Sequence, residues 1–188
     1  MFKKALILII ALGAGLGLRW YVDQQPKAPV NLLSADQIFT LEDATDSRLR
    51  VAYFGFTHCP DICPTSLAVL AASLRQMDDN DQAKLLPLFI SLDPERDTPE
   101  KSAEYAQFFH PNIVGVSTSD TELEALAKTY GVLFKRTELE DSELEYSVDH
   151  SSFFYLINNQ GELLDKVPHT MNPAILTAAI DAQINPES

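Results

Sequence analysis

The chain has 188 residues, of which 46% are hydrophobic and 22% charged, the composition of one folded globular domain rather than of a disordered protein. Its formal net charge is −13, and residues 1–22 contain three basic residues and no acidic one, which leaves −16 on the remainder. Nucleic-acid binding requires clustered Lys and Arg side chains that contact phosphates. The acidic body of the chain therefore excludes a nucleic-acid-binding function.

Residues 1–22 have the pattern of a membrane anchor. The uncharged run Ala5–Leu18 follows Lys3 and Lys4. A helix over Ala5–Val22 would be about 27 Å long, slightly short of the roughly 30 Å hydrocarbon core of a bilayer. The lysines favour a cytoplasmic N terminus, so we expect a single-pass protein of the cell inner membrane whose C-terminal domain lies on the periplasmic side. A cleaved signal peptide is the alternative, and it also exports the domain.

The rest of the chain divides into a linker, residues 23–33, which contains two prolines, and one domain, residues 34–188. In this domain, apolar runs typical of buried strands alternate with amphipathic stretches typical of helices. The predicted elements are a strand at Leu49–Thr57, a helix at Thr65–Met77, a strand at Leu85–Leu92, a helix from its cap Thr98 to Phe109, a strand at Asn112–Ser117, a helix at Asp120–Tyr130 closed by Gly131, strands at Ser152–Ile157 and Glu162–Val167, and a helix at Asn172–Ile184. Residues 138–145 are predicted to form an exposed acidic excursion.

This order of elements predicts an α/β fold. Strands that alternate with helices form parallel β-α-β units. The segment Asn158–Gly161 between the last two strands is a hairpin signal, which adds an antiparallel edge. A central mixed sheet flanked by helices, with cysteines directly after an early strand, corresponds to the thioredoxin-like plan.

The two cysteines of the chain lie in the segment His58–Pro64 (HCPDICP). Pro64 suits the start of a helix. Because a proline disfavours helical angles at the preceding residue, we place Cys63 near the helix N-cap and Cys59 in the loop before it. Unpaired N–H groups and the helix dipole stabilise thiolates at such a position. Asp61, between the cysteines, is a candidate for a supporting contact with the site.

Three interpretations of the cysteine pair compete. A structural disulfide across so short a loop would stabilise the fold little. A redox dithiol usually has two intervening residues, whereas this pair has three. A metal site is the third interpretation, because soft thiolates suit Cu(I), and an added imidazole also permits Cu(II). A peroxiredoxin-like peroxidase has no support beyond the fold and the position of the cysteines.

A metal site would need a third ligand, and four histidines are available. They are His58, His110, His150 and His169. His58 is adjacent to Cys59 on a tight turn, a geometry that disfavours the binding of one metal ion by both side chains. The second precedes a proline at a helix end, where a cation suits the dipole, and the fourth has no partner nearby in the sequence. His150 precedes a predicted strand, near the loops that carry chemistry, and Asp149 is a candidate to orient its ring. The residues alone leave the choice of His150 open.

Three segments of the chain resemble those of the Sco/SenC family, copper-binding proteins that assist assembly of the dinuclear copper centre of cytochrome c oxidase. They are Tyr53–Pro64 (YFGFTHCPDICP), Ser91–Pro99 (SLDPERDTP) and Val148–Ser151 (VDHS). The resemblance implies a thioredoxin-like domain on one membrane anchor, with copper bound by Cys59, Cys63 and His150. It implies a copper chaperone rather than a turnover enzyme, with the copper-bearing oxidase subunit or its assembly factors as partner. A thiol–disulfide reductase acting on cysteines of the target is the alternative.

Two further expectations concern segments on either side of the first cysteine. Members of the family usually have a glycine-containing β-hairpin before the first core strand. Leu33–Arg50 is short and contains no glycine, so we expect a trimmed or irregular hairpin. The acidic loop Asp93–Asp97 could be taken for a hard-cation site, but we expect a solvated turn in which Arg96 offsets the acids.

Overall fold

A five-stranded sheet lies at the centre of the domain in a computed structural model, which describes residues 29–35, 37–139 and 144–186. The strands are β1 (Leu32–Ser34), β2 (Gln37–Phe39), β3 (Leu49–Gly55), β4 (Leu85–Ser91), β5 (Val114–Val116), β6 (Phe134–Glu138), β7 (Tyr146–His150), β8 (Phe153–Ile157) and β9 (Leu163–Pro168). The helices are α1 (Ile62–Gln76), α2 (Asp79–Ala83), α3 (Pro99–Phe109), α4 (Asp120–Tyr130) and α5 (Pro173–Ile184).

The central sheet has the strand order β5-β4-β3-β8-β9. β3 pairs with β4 and β4 with β5 in parallel, whereas β8 pairs antiparallel with both β3 and β9. Every residue of β3 and β4 is buried, which is why their sequences are mainly apolar rather than alternating, although β3 also contains the buried Arg50. The predicted α/β, thioredoxin-like fold with a central mixed sheet is confirmed.

Local sequence signals set several helix ends as predicted. The Thr98 side chain accepts a hydrogen bond from the Lys101 backbone at the start of α3. Gly131 ends α4 with a φ of 64°, in the left-handed region that glycine adopts without strain. α1 packs against α5, and α3 packs against β5. α1 also contacts β3, the strand that precedes the cysteine-containing segment.

α1 begins at Ile62, three residues before the predicted start, and Cys63 lies near the N-cap, as predicted. Asp61 is the N-cap, and Cys63 is the second residue of the helix. Pro64 is then the third helical residue, a position whose N–H has no partner within the helix in any case. The hydrogen bond from the Thr65 N–H to the Asp61 carbonyl, 3.3 Å, closes this first turn.

The sequence did not predict the β6–β7 hairpin. These strands form a separate two-stranded sheet in which Phe134 pairs with His150. Residues 138–145 were predicted as an excursion, of which residues 140–143 lie outside the described part of the chain. β6 (FKRTE) is polar and largely exposed, so it lacks the apolar alternation by which strands are recognised. His150 is the last residue of β7 and, as predicted, it also precedes a strand, β8.

The N-terminal part of the domain begins earlier than predicted. β1 and β2 form a hairpin with three residues in each strand, which agrees with the expected trimming. Leu32 is fully buried, and Leu33 exchanges two backbone hydrogen bonds with Ser117, so these two residues belong to the domain and not to the linker. The predicted anchor, residues 1–22, lies outside the described residues. In the part of the chain that is described, no helix combines the length and the apolar character needed to cross a bilayer.

The Asp93–Asp97 loop between β4 and α3 is not a solvated turn. Both aspartates are fully buried. Asp93 forms an ion pair with Arg96, and Asp97 accepts hydrogen bonds from Thr57 and Ser91. Buried carboxylates require such partners. Arg96 and Ser91 are near in the sequence, but Thr57 is 40 residues away from Asp97, so the composition of the loop did not reveal that it is buried.

Candidate metal centre

The two cysteines lie where β3 passes into α1. Cys63 is fully buried beneath the first turn of the helix, whereas Cys59 is partly exposed in the preceding loop, and both are free thiols. The Cys63 backbone N–H points at the Cys59 sulfur, with 3.4 Å between nitrogen and Sγ. The helix terminus therefore directs one of its unpaired N–H groups to Cys59.

His150 reaches this pair from the end of β7. Its Nε2 atom lies 3.3 Å from the Cys63 Sγ, although 87 residues separate the two. The ligand atoms of Cys59, Cys63 and His150 all lie within 4.8 Å of one another, and this is the one group of three or more His, Cys, Asp or Glu residues with such spacing in the described ranges. The structure thus brings together the three residues that were proposed as metal ligands.

The other histidines have different partners. His58 Nδ1 lies 3.1 Å from the Thr57 hydroxyl, and His169 Nδ1 lies 2.8 Å from the Ser66 hydroxyl. His110 Nδ1 accepts a hydrogen bond from the backbone of the nearby Asn112. These three rings therefore contact groups outside the cysteine pair.

The orientation of the His150 ring comes from groups that the sequence did not indicate. The ring edges of Tyr53 and Phe56 hold it in T-shaped contacts, with centroid distances of 6.2 Å and 6.1 Å. Nδ1 lies 3.2 Å from the Ser151 backbone carbonyl. When Nδ1 carries the ring proton of a neutral imidazole, it donates to that carbonyl and the Nε2 lone pair faces the sulfurs, as in metal-ligating histidines.

Neither of the two aspartates proposed as supporting residues acts through its carboxylate on this ring. Neighbouring residues of a strand point to opposite faces, and the Asp149 carboxylate accepts a hydrogen bond of 2.6 Å from Thr137 on β6. The predicted contact of Asp149 with the His150 ring is therefore replaced by the Ser151 carbonyl. Asp61 acts on the site through its backbone, which is one of the groups that lower the pKa of Cys59.

Gly55 provides the space that the Cys63 sulfur occupies. A Cβ at this position would lie 2.8 Å from the sulfur and 3.0 Å from the Tyr53 ring, so no larger residue fits without displacing a proposed ligand. A glycine inside an apolar strand marks such a close approach, and this signal was available in the sequence.

The environments of the two thiols differ in a way that separates their pKa values. The hydrogen bond from the Cys63 thiol is the largest of several effects that lower the pKa of Cys59 to about 4, against the opposing effect of burial. The His150 ring and the backbone N–H groups of Asp61 and Cys63 also contribute. The hydrogen bond to Cys59, together with burial, raises the pKa of Cys63 far above its ordinary range. The metal-free site therefore holds one thiolate and one thiol at neutral pH.

This difference predicts the pH profile of alkylation in the reduced, metal-free protein. Iodoacetamide is expected to modify Cys59 alone, at a rate nearly constant from pH 6 to pH 8, because the thiolate is the nucleophile and is already formed. In the Cys63→Ala variant, which has no hydrogen-bond donor in this side chain, the profile is expected to shift to higher pH. Mass spectrometry of timed samples measures both rates. A wild-type rate that rises about tenfold per pH unit, as for an ordinary thiol with a pKa near 8.5, would contradict the lowered pKa.

A cavity of about 370 Å³ opens beside the site. Its lining includes Cys59, Pro60 and His150, together with residues of α1 and β7. Two of the three proposed ligands are therefore accessible from this side, while Cys63 closes the interior. Two thiolates and an imidazole form a donor set that soft and borderline metal ions prefer.

Comparisons with known proteins agree with this geometry. The family model described as SCO1/SenC matches residues 26–185. Protein SCO2, mitochondrial, of Saccharomyces cerevisiae is 40% identical over 73% of this chain and 46% of its own length. Protein SCO1 homolog 1, mitochondrial, of Arabidopsis thaliana is 42% identical over 69% of this chain and 38% of its own length. The chain thus spans less than half the length of these two relatives.

The same likeness holds for solved structures. The crystal structure of Arabidopsis thaliana ScoI with copper bound superimposes with a TM-score of 0.74 at 35% identity, and the match covers 85% of this chain and 98% of that one. The similarity to this protein, in sequence and in structure, thus extends over nearly the whole described domain. The chain belongs to the SCO1/SenC family.

Proposed function

We propose that this protein is a copper chaperone that binds one copper ion through Cys59, Cys63 and His150. The observation that carries the proposal is the convergence of three ligand atoms within 4.8 Å of one another, with the imidazole held by a backbone carbonyl on its far nitrogen. Outer partners of this kind accompany metal-bound histidines. A thiolate-rich site with one imidazole suits Cu(I) and also accommodates Cu(II), and the related ScoI of Arabidopsis has been crystallised with copper bound.

The exposure of the site supports delivery of the ion rather than catalysis on it. Cys59 and His150 line an open cavity, so an acceptor's ligands can approach the ion and replace these two in turn. We propose that the acceptor is the copper-bearing subunit of cytochrome c oxidase or one of its assembly factors, as the family resemblance implies. We also propose that the domain acts on the periplasmic side of the cell inner membrane.

A thiol–disulfide reductase is the second candidate, and the asymmetry of the two thiols favours it. The accessible Cys59 has a lowered pKa and Cys63 is buried behind it, as in attacking and resolving cysteines. Cys59 would attack a target disulfide to give a mixed disulfide, and Cys63 would then release the target dithiol and leave a Cys59–Cys63 disulfide. An external dithiol reductant must restore the pair. The two functions can alternate in one protein, because the reduced pair can bind copper and oxidation to the disulfide removes both metal-binding thiolates.

An anaerobic titration of the reduced full chain with Cu(I) tests the leading proposal. We expect one tightly bound ion per chain, and for the Cu(II) form we expect nitrogen splitting in its paramagnetic resonance spectrum. The same protein with its cysteines oxidised to a disulfide is the matched control and should bind no Cu(I). A reduced chain that reduces a disulfide substrate but does not retain Cu(I) would overturn the chaperone proposal in favour of the reductase.

A further inference from the structure

The Asp93–Asp97 loop contacts both halves of the proposed metal site, which lie far apart in the sequence. Its two aspartates are fully buried, yet neither is among the group that can hold a metal ion. Their contacts instead run in two directions, one toward the cysteine loop and one toward β7. The loop is therefore the element through which these two segments are held relative to each other.

Asp97 anchors the cysteine loop. Its carboxylate accepts hydrogen bonds from the Thr57 backbone N–H at 2.9 Å and from the Thr57 hydroxyl at 2.5 Å. A third hydrogen bond of 2.7 Å comes from Ser91 at the end of β4. Thr57 is two residues before Cys59, so these bonds tie the start of the loop to the central sheet.

Arg96 anchors the strand that carries the histidine. Its guanidinium lies 3.6 Å from the centre of the Tyr146 ring and donates hydrogen bonds of 3.0 Å to the carbonyls of Leu144 and Tyr146. Asp93 forms an ion pair with Arg96 and accepts a 2.7 Å hydrogen bond from the Tyr146 hydroxyl. Arg136 on β6 lies 3.6 Å from the same carboxylate. Both strands of the β6–β7 hairpin are therefore fixed to the loop.

The hairpin requires such an anchor. β6 and β7 form a two-stranded sheet that does not continue into the central one, and two strands alone are only marginally stable in water. Tyr146 begins β7 and His150 ends it, so the position of the Tyr146 ring sets where the imidazole arrives. We propose that Arg96 is a positioning residue for His150, acting through Tyr146, and that this loop aligns the histidine with the cysteines. The inference rests on the proposed function, because it assumes that His150 is a ligand.

The test compares Cu(I) affinity, measured by competition with a colorimetric chelator, in full-length Arg96→Ala, Arg96→Lys and wild-type protein. Lysine keeps the charge but loses the planar stacking and the paired donors, so it should restore little. We expect Arg96→Ala to bind Cu(I) about tenfold more weakly, the lower end of the range for loss of an outer partner, with weaker nitrogen splitting in the Cu(II) spectrum. Arg48→Ala, which loses an arginine–aspartate ion pair with Asp46, is the matched control and should bind as wild type.

A double-mutant cycle separates positioning from general destabilisation. If Arg96 acts through the histidine, Arg96→Ala should weaken binding no further in a His150→Ala background. Additive losses, or wild-type affinity in Arg96→Ala, would overturn the positioning role. Wild-type affinity in His150→Ala would instead show that the proposed ligand set has failed. Tyr146→Phe is a second variant, for use if Arg96→Ala does not fold. It keeps the stacked ring and loses only the hydroxyl, so it should weaken Cu(I) binding less than Arg96→Ala does. A Tyr146→Phe protein with wild-type affinity and wild-type nitrogen splitting would then count against the inference.

Discussion

Replacement of Cys63 with serine is expected to abolish stoichiometric Cu(I) binding by the reduced protein. Cys63 is fully buried, and its sulfur is 3.3 Å from His150 Nε2, so it forms the inner wall of the site. A serine hydroxyl is a hard donor that stays protonated, and Cu(I) prefers soft thiolates. The loss should exceed the roughly 10–100-fold decrease that follows removal of an outer partner.

The three ligand variants should form a graded series in the same competition assay. Cys59→Ser should match Cys63→Ser, because either change leaves one thiolate. His150→Ala should lose less, since the dithiol remains, but it should lose the nitrogen splitting of the Cu(II) form. His110→Ala is the matched control, because that ring accepts a hydrogen bond from the Asn112 backbone and does not belong to the ligand group. Retention of wild-type affinity and splitting in His150→Ala would remove the histidine from the site.

Gly115→Ala is expected to destabilise the domain by about 3 kcal/mol, at the upper end of the range for overpacking a core. A Cβ at this position in β5 would lie 1.8 Å from the Ser102 carbonyl oxygen and 2.7 Å from the Ala103 nitrogen. These atoms belong to the backbone of α3, which cannot move aside as a flexible side chain could. Urea unfolding monitored by circular dichroism measures the change.

Gly131→Ala is the matched control for this prediction. Gly131 has a φ of 64°, and among the described residues its added Cβ would meet only the Lys166 ammonium group, at 3.2 Å. The substitution should therefore cost about 1 kcal/mol through backbone strain without steric overlap. Equal effects of the two substitutions would show that α3 can withdraw from β5.

The pH dependence of stability should reflect the unusual thiol. Because folding lowers the pKa of Cys59 to about 4, its ionisation stabilises the folded state fully above the ordinary thiol pKa. That contribution decreases as the pH falls and is lost near pH 4. Removal of the thiol in Cys59→Ser should flatten this part of the stability profile.

Features that depend on neighbouring residues could be predicted from the amino-acid sequence. Apolar runs predicted β3 and β4, and the capping residues Thr98 and Gly131 set helix ends where the structure has them. These signals are local, because a cap or a buried strand is recognisable within one short segment. The order of these predicted strands and helices in turn predicted the mixed sheet and placed the cysteine pair where β3 passes into α1.

The assembly of the site depends on contacts between distant segments and could not be predicted in the same way. The polar strand β6 gave no periodic signal, and the hairpin that carries His150 depends on Arg96 and Asp93 some fifty residues earlier. The Asp149 carboxylate lies with Thr137 because alternate strand residues face opposite sides. Contacts between segments that are 50 to 90 residues apart arise from packing of the whole domain, and no local pattern in the sequence encodes them.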